Sequence, residues 1–554
     1  MIRPLAAAFA LLSLSLGLAP GRVRAQESPR EPVATAPTPA PKVEGRAKAA
    51  PAATAGKGEK VAKVAPATRA RATGPRPKRR RATRAPRPIP AKGAWSTTVG
   101  ADALHSAIAA ELPGPVKGGW GVMIVSLSRG DTLFALAPNA PLLPASTMKL
   151  FTSALALETL GPQHRFTTEV LRDGVLAADG TLRGNLVLRG DGDPSLSPRM
   201  LGGTAGEPMH KLARELIAAG VKRVTGDIIA DGSAFDDARI PEGWRTRYLG
   251  AAYAARVSAL SLNENLVWVV VKAGPKGAVV STDPATAGLP IESEVRVVPG
   301  RRGRITAYRR PDGTIKVRGT IGAAAGERRW SLVVEDPALF AAGALHSALE
   351  EEGVDVAGKA RTGSGSPLAP RIASLPSPPL KEIVAAMNGE SINLFAELLF
   401  RNSARGPARS SIGSAVSANN ALERFLSGKV GVDSGAVRAS DGSGLSILDR
   451  VTARSLVKLL GYGHRASWSA EYHASLPVAG ASETLKHRMR FTPAQGNLHA
   501  KTGTTNDVIS LAGYVTAKNG ELIAFSMLYN GRDRWRAKDR IDRVGATLAA
   551  FSRE

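Results

Sequence analysis

Ser146-Thr147-Met148-Lys149 sets a hydroxyl and an amine three positions apart. On a helix the two share one face, so the Lys149 amine can take the Ser146 proton. Later in the chain come Ser391-Ile392-Asn393 and Lys501-Thr502-Gly503-Thr504, a second hydroxyl with a carboxamide and then a cation flanked by threonines. Each string supplies a different part of an acyl transfer. A lysine of ordinary pKa is neutral in only about one molecule in 2,500 at pH 7, so Lys149 serves as a base only if burial and a nearby cation lower it. Lys501 is expected to be that cation. Ser391 would hand the proton to the leaving nitrogen, while the Asn393 amide holds both lysine and substrate. On an edge strand, Thr502 and Thr504, with Gly503 between them and Lys501 beside them, suit a substrate carboxylate. The backbone N–H groups of Ser146 and Thr504 would face the developing oxyanion.

None of these strings is specific alone. Ser455 and Lys458 repeat the serine-lysine spacing, and Ser261-Leu262-Asn263 and Ser417-Ala418-Asn419 repeat the serine-asparagine spacing. Context separates them: Ser455 lies inside a periodic helix beyond the Ser391 pair, and Ser261 leads into the strand Val267 to Val271. Ser417 follows closely on Ser391 in a polar stretch.

The elements that must position the trio are legible around it. Order is expected from near Trp95. Val122 to Leu127 and Thr132 to Leu136, separated by Ser128 to Asp131, read as a hairpin. Pro144 precedes a helix running to Leu160, closed by Gly161-Pro162, with Ser146 in its first turn. Between Lys149 and Ser391 lie 241 residues rich in short β-type runs, enough for a domain or two that leave and rejoin the catalytic domain. An Asn388-Gly389-Glu390 turn is expected next, followed by a helix from Ser391 to Asn402. Lys518-Asn519-Gly520 marks another hairpin, and an amphipathic helix closes the chain from about Arg534 to Phe551.

Composition bounds the classes available. At 554 residues and 43% apolar, the chain can build two or three cores. Residues 1–25 read as a secretory signal peptide, with Arg3, an apolar run from Leu5 to Ala19 and a small-residue break. That run falls short of the roughly 20 residues a membrane span needs. An exported protein of the periplasm or cell envelope, with no transmembrane anchor after cleavage, is therefore expected. The net charge of +27 is uneven: residues 26–95 hold seventeen Lys/Arg against four Asp/Glu. That Ala/Pro-rich stretch is expected to be a disordered basic linker, with electrostatic attraction to anionic envelope polymers as its one candidate partnership. Its Lys78-Arg79-Arg80-Arg81 cluster behind a signal peptide does not point to nucleic acid. There is no cysteine, and the eight histidines make no metal-binding motif. No metal or cofactor is implied, and the nucleophile is a hydroxyl.

Longer strings extend the pattern: Pro144 to Leu150, Gly190 to Leu196, Val224 to Asp227, Asp231 to Phe235, Pro241-Glu242-Gly243-Trp244, Ser258 to Asn265, Asp441-Gly442-Ser443-Gly444-Leu445-Ser446 and Ala500 to Thr504. In this order, from about residue 100 to 530, the chain resembles the D-alanyl-D-alanine carboxypeptidase/endopeptidase family of low-molecular-mass penicillin-binding proteins, serine peptidase family S13. The resemblance implies an α+β fold: a transpeptidase/β-lactamase-like catalytic domain, an antiparallel sheet flanked by helices, built from residues 96–162 and 375–554. Two mainly β domains would be inserted as residues 163–374, with an inner part at about 191–285. It implies hydrolysis of peptidoglycan stem peptides and cross-links through a Ser146 acyl-enzyme, and acylation of Ser146 by β-lactams. It also suggests that Asp231 binds a substrate amine, although a turn beside Gly232 accounts for Asp231 equally well. Where the family commonly has Arg after the second serine of the Asp441 to Ser446 string, this chain has Ile447. A β-lactamase is disfavoured by the long separation of the first two motifs, and a wall-binding protein with a relict site by the presence of every expected side chain.

Overall fold

Val508–Thr516 is buried at every position but its last, the pattern of a strand covered on both faces. It lies second in a five-stranded antiparallel sheet ordered His499–Thr504, Val508–Thr516, Leu522–Gly531, Gly118–Ser126 and Thr132–Leu136. The computed structural model describes residues 96–112, 118–310, 312–406 and 411–554. The expected signal peptide and basic linker lie outside the described residues.

Successive side chains of a strand point to opposite faces, and Gly118–Ser126 divides accordingly. Val122 and Ile124 join the core formed with helices Ala101–Glu111 and Arg534–Ala550. Met123 joins a second core with helices Met148–Leu160, Leu380–Glu390, Asn393–Ser403 and Ala453–Arg465. Met148–Leu160, the nucleophile helix, is buried from Met148 through Leu157, so it runs through the interior and not along the surface. His499–Thr504 is the sheet edge beside it.

Between these halves of the chain, a seven-stranded sheet is built from strands between Thr167 and Asp231 and between Asp355 and Pro376. Two three-stranded sheets occupy Leu266 to Val333; their strands Leu266–Gly274 and Gly277–Asp283 fall within the inner part expected at about 191–285, and the others follow it. Three of the strings noted in the sequence meet at junctions between these bodies and the central domain: Gly190 to Leu196, Pro241 to Trp244 and Asp441 to Ser446. Asn402 donates to the Gly192 carbonyl at 2.9 Å, Trp244 Nε1 donates to Asp441 at 2.7 Å, and Ser446 Oγ donates to the Glu242 carbonyl at 2.7 Å. Gly243 must be glycine: its φ is +80° and a Cβ there would lie 2.3 Å from Ser446 Oγ.

Two expected elements differ. Asn388-Gly389-Glu390 is not a turn but the end of helix Leu380–Glu390. Asn388 is buried and donates to Ser153 Oγ and Ser475 Oγ at 2.8 and 2.9 Å, so tertiary bonds replace the local ones that would have made a turn. The following helix begins at Asn393, and Ser391 is the left-handed residue, φ 62°, between the two helices. Ser146 lies in a short 3-10 turn, Ala145–Thr147, that leads into the nucleophile helix.

Candidate active site

Ala145 and Ser391 both hold positive φ, 48° and 62°, conformations that cost a non-glycine residue about 1–3 kcal/mol each and persist where the surroundings enforce them. At Ala145 the surroundings are explicit. The Pro144 carbonyl accepts Thr147 Oγ1 and Ser510 Oγ, both at 2.7 Å, which pins the nucleophile turn to the sheet. Ser510 is the register partner of Gly503. A Cβ on Gly503 would sit 2.1 Å from Ser510 Oγ and 3.0 Å from Ser146 N, so only glycine lets the edge strand lie this close to the nucleophile. Gly444 closes the other side: its φ is +82° and a Cβ would stand 1.8 Å from the Ala145 carbonyl oxygen.

Lys149 lies fully buried beneath Ser146. Its Nζ is 3.2 Å from Ser146 Oγ, 2.6 Å from Asn393 Oδ1 and 2.9 Å from the Ser443 carbonyl. Burial brings its pKa down to about 8, against the opposing pull of Asp441, Glu397 and Asp449. Lys501 is equally buried, donates to the Thr502 carbonyl at 3.1 Å, and is held well below its ordinary value by burial and then by the charge on Lys149. Burial is thus the first cause that lowers Lys149, as expected, and the charge on Lys149 in turn disfavours a proton on Lys501.

Above the lysines opens a cleft of about 350 Å³ lined by Ser146, Ser391, Asn393, Gly444 and Thr504, with Tyr248, Tyr253, Asn506 and Arg534 on its walls. Five of the nine expected site residues thus meet here: Ser146, Ser391, Asn393 and Thr504 line the cleft, and Lys149 lies below it in hydrogen-bond contact with Ser146 and Asn393. Lys501, Thr502 and Gly503 form the strand behind them. Asp231 is elsewhere. Its carboxylate accepts Ser233 Oγ at 2.6 Å and, each at 3.1 Å, Ser233 N, Gly365 N and Arg189 Nε. Burial works against its charge, yet those hydrogen bonds keep its pKa below the usual range. It lines a separate cavity of about 560 Å³ with Arg189 and Glu169. Ile447 also lies outside the cleft wall, tied through its backbone to Gly243 at 3.2 Å.

The profile of the D-Ala-D-Ala carboxypeptidase 3 (S13) family matches residues 104–551. This chain belongs to that family. As an S13 member it is a serine-type D-Ala-D-Ala carboxypeptidase, the family expected from the ordered strings. It is similar to a D-alanyl-D-alanine carboxypeptidase of Actinomadura sp. (strain R39), 36% identical over 78% of this chain and 81% of the relative. Among solved structures it is similar to penicillin binding protein 4 (dacB) from Haemophilus influenzae, with a TM-score of 0.66 and 24% identity over 79% of this chain and 97% of that one. The same Haemophilus protein complexed with a β-lactam gives 0.62 at 24% identity, covering 79% and 98%. The α+β, transpeptidase-like fold implied by the resemblance is the fold of these neighbours.

Several site groups of this S13 chain carry no local signal in the sequence. Tyr253 comes from the inserted region, and its carbonyl accepts Asn393 Nδ2 at 2.8 Å. Its ring packs edge-on against Tyr248, with centroids 5.9 Å apart. Arg534 starts the last helix and donates to the Thr505 carbonyl at 2.7 Å. The Ser443 carbonyl lies inside the Asp441 to Ser446 string, and Glu397 stands one helical turn after Asn393.

Proposed function

We propose that this chain cleaves the terminal D-Ala from peptidoglycan stem peptides, and the equivalent D-Ala bond in cross-links, through an acyl-enzyme on Ser146. The observation that carries this reading is the buried Lys149 amine 3.2 Å from Ser146 Oγ at the floor of the cleft. Neutral Lys149 takes the hydroxyl proton as Oγ attacks the carbonyl carbon of the penultimate residue. The backbone N–H groups of Ser146 and Thr504 receive the negative charge that forms on oxygen. When the carbon–nitrogen bond breaks, the Ser391 hydroxyl delivers a proton to the leaving amine and Lys149 replenishes it. Water then enters by the same base and releases the acyl group. A β-lactam follows the first half, but its nitrogen stays tethered to the acyl group and cannot leave. The β-lactam complex of the Haemophilus relative supports this part of the reading.

Arg534 supplies the carboxylate contact of this reading. It lines the cleft next to Thr504 and Thr505, and no carboxylate among the described residues pairs with it. A guanidinium so placed suits the free carboxylate of a terminal D-Ala.

The enzyme is proposed to work in the cell envelope. Among the described residues no helix is long and apolar enough to cross a membrane. Residues 26–95, with seventeen Lys/Arg against four Asp/Glu, would hold the enzyme to anionic envelope polymers by a force that salt removes. Deleting residues 26–92 is expected to leave small-peptide hydrolysis intact and to weaken retention on isolated wall material at low salt; equal retention would end that part.

The test of the activity is direct. Purified protein should release D-Ala from a D-Ala-D-Ala peptide and be labelled by a fluorescent penicillin, and Ser146→Ala should do neither. Labelling of Ser146→Ala at the wild-type rate would refute the assignment.

A further inference from the structure

Three carboxyl groups, Glu397, Asp441 and Asp449, are buried together beneath Lys149, and the mechanism above uses none of them. Their hydrogen bonding separates them. Asp441 receives five donors: Ser443 N at 3.0 Å, Gly444 N at 2.6 Å, Ser446 N and Trp244 Nε1 at 2.7 Å, and Ser443 Oγ at 3.2 Å. That is the shell a buried carboxylate needs. Asp449 accepts from Ser440 N and Asp441 N on one oxygen, and its other oxygen has no partner. Glu397 accepts Gly442 N at 3.2 Å on Oε2, with the Ser443 hydroxyl, which is shared with Asp441, also favouring its charge, while Oε1 is buried without a partner.

Gly442 is held on both sides. Its carbonyl accepts Thr152 Oγ1 from the nucleophile helix at 2.6 Å, and its N–H goes to Glu397 from helix Asn393–Ser403. The next carbonyl, that of Ser443, accepts Lys149. Asn393 and Glu397 stand four residues apart on one helix face, so that helix reaches Lys149 twice, directly through Asn393 and indirectly through Gly442.

We propose that Glu397 is a positioning residue that clamps Gly442 as a neutral acid, so that the Ser443 carbonyl orients Lys149 while no second negative charge fixes the proton there. The inference rests on the reading of Lys149 as the base. A buried carboxylate with one backbone donor, a hydroxyl shared with Asp441 and an empty oxygen is poorly stabilised beside the five donors of Asp441, whereas the neutral acid costs far less to bury. The groups facing Glu397 are Asp441, Asp449 and the Ser443 hydroxyl from the loop, Lys149 from the nucleophile helix and Arg401 on its own helix. Arg401 is engaged by Asp236 and by the Ala238 carbonyl at 2.6 Å. Burial first, and then Asp441, push the Glu397 carboxyl up to about 8. An ionised Glu397 would add a second anion beside the amine and hold the ammonium form, which cannot accept the Ser146 proton.

The experiment measures the second-order rate of labelling by a fluorescent penicillin from pH 5.5 to 9 (a range of about 3.5 units, wide enough to bracket the Lys149 midpoint). Glu397→Met keeps the size but loses the acceptor, and should label roughly tenfold more slowly at every pH. Glu397→Gln keeps the acceptor without charge, should restore most of that loss, and should leave the rising limb below about 8, where Glu397 holds its proton, and so the midpoint extrapolated from that limb, within about 0.3 of wild type. A Glu397→Gln midpoint lowered by about one unit or more would mean a charge had been removed, and would overturn the neutral form. A Glu397→Met rate equal to that of Glu397→Gln would overturn the clamp. The Glu397→Gln midpoint decides the protonation state even if Glu397→Met does not fold. A wild-type protein that never labels would instead defeat the proposed function, a result distinct from either outcome.

Discussion

Lys149 Nζ is held more tightly by Asn393 than by the nucleophile it serves: 2.6 Å to Asn393 Oδ1 against 3.2 Å to Ser146 Oγ. The same carboxamide uses its Nδ2 to hold the Tyr253 carbonyl at 2.8 Å, so one side chain fixes the base and a cleft wall together. Asn393→Ala should therefore lower the acylation rate by roughly 100-fold, the scale of losing base positioning. It should also loosen the Tyr253 segment. Asn393→Asp tests the charge separately, because a carboxylate 2.6 Å from Lys149 would stabilise its ammonium form. Its penicillin-labelling profile should move to higher pH; a profile that stays in place would exclude direct contact.

The wild-type profile itself has a defined direction. Burial puts Lys149 at about 8, and only the neutral amine accepts a proton. Labelling should rise with pH through about 8, by close to tenfold per unit below it. The stability linkage has the same sign. A lysine whose folded pKa lies below its unfolded value destabilises the fold where it must be charged while buried. That penalty is full below about 8 and fades as pH rises toward the unfolded value of 10.5. Lys149→Met should therefore flatten the pH dependence of thermal stability between these limits, as read by calorimetry at several pH values. An unchanged dependence would mean that another group sets it.

Gly444 is a second point of leverage. With φ at +82° and the Ala145 carbonyl where a Cβ would be, Gly444→Ala must displace either its own loop or the nucleophile turn. Backbone strain plus overpacking should cost about 2–4 kcal/mol. Penicillin labelling should fall further than the unfolded fraction explains, since the displaced turn carries Ser146. Gly435→Ala is the control for strain without a neighbour, because Gly435 has φ +79° and open space around it. Chemical denaturation of both variants separates the two contributions. Equal losses would show that the contact with Ala145 is unimportant.

The site was legible in the sequence to the extent that it is local. Ser146 and Lys149 share a helical turn, Ser391 and Asn393 flank a helix start, and Lys501 to Thr504 form one strand, so spacing alone brought each set into view. The ordered strings gave the fold class, because many short matches in one order constrain topology more than any single motif does. Partners contributed by contacts across hundreds of residues were not legible. Tyr253 reaches Asn393 from 140 positions away, and Arg534 reaches the cleft from the last helix. The turn expected at Asn388 failed for the same reason, since Ser153 and Ser475 take up its amide N–H groups from elsewhere. Asp231 lies apart from the cleft, on a separate cavity where Ser233, Gly365 and Arg189 bond its carboxylate, a placement that its string does not reveal.

Arg534 permits a test of how the substrate end is read. Its Nη1 donates to the Thr505 carbonyl at 2.7 Å, and the residue lines the cleft shared with Ser146 and Thr504. If its guanidinium receives the terminal carboxylate, Arg534→Gln should raise KM for a D-Ala-D-Ala peptide by roughly 10- to 100-fold, the worth of a charged hydrogen bond. A peptide ending in the D-Ala amide lacks that charge, so wild type and variant should turn it over alike. The comparison is internal to each protein, which removes any general loss of folding from the result. An equal loss on both peptides would show that Arg534 supports the Thr505 segment and does not read the carboxylate. In that case, recognition of the chain end would fall to Thr502 and Thr504 on the edge strand, and Thr504→Val would become the variant that separates the two peptides.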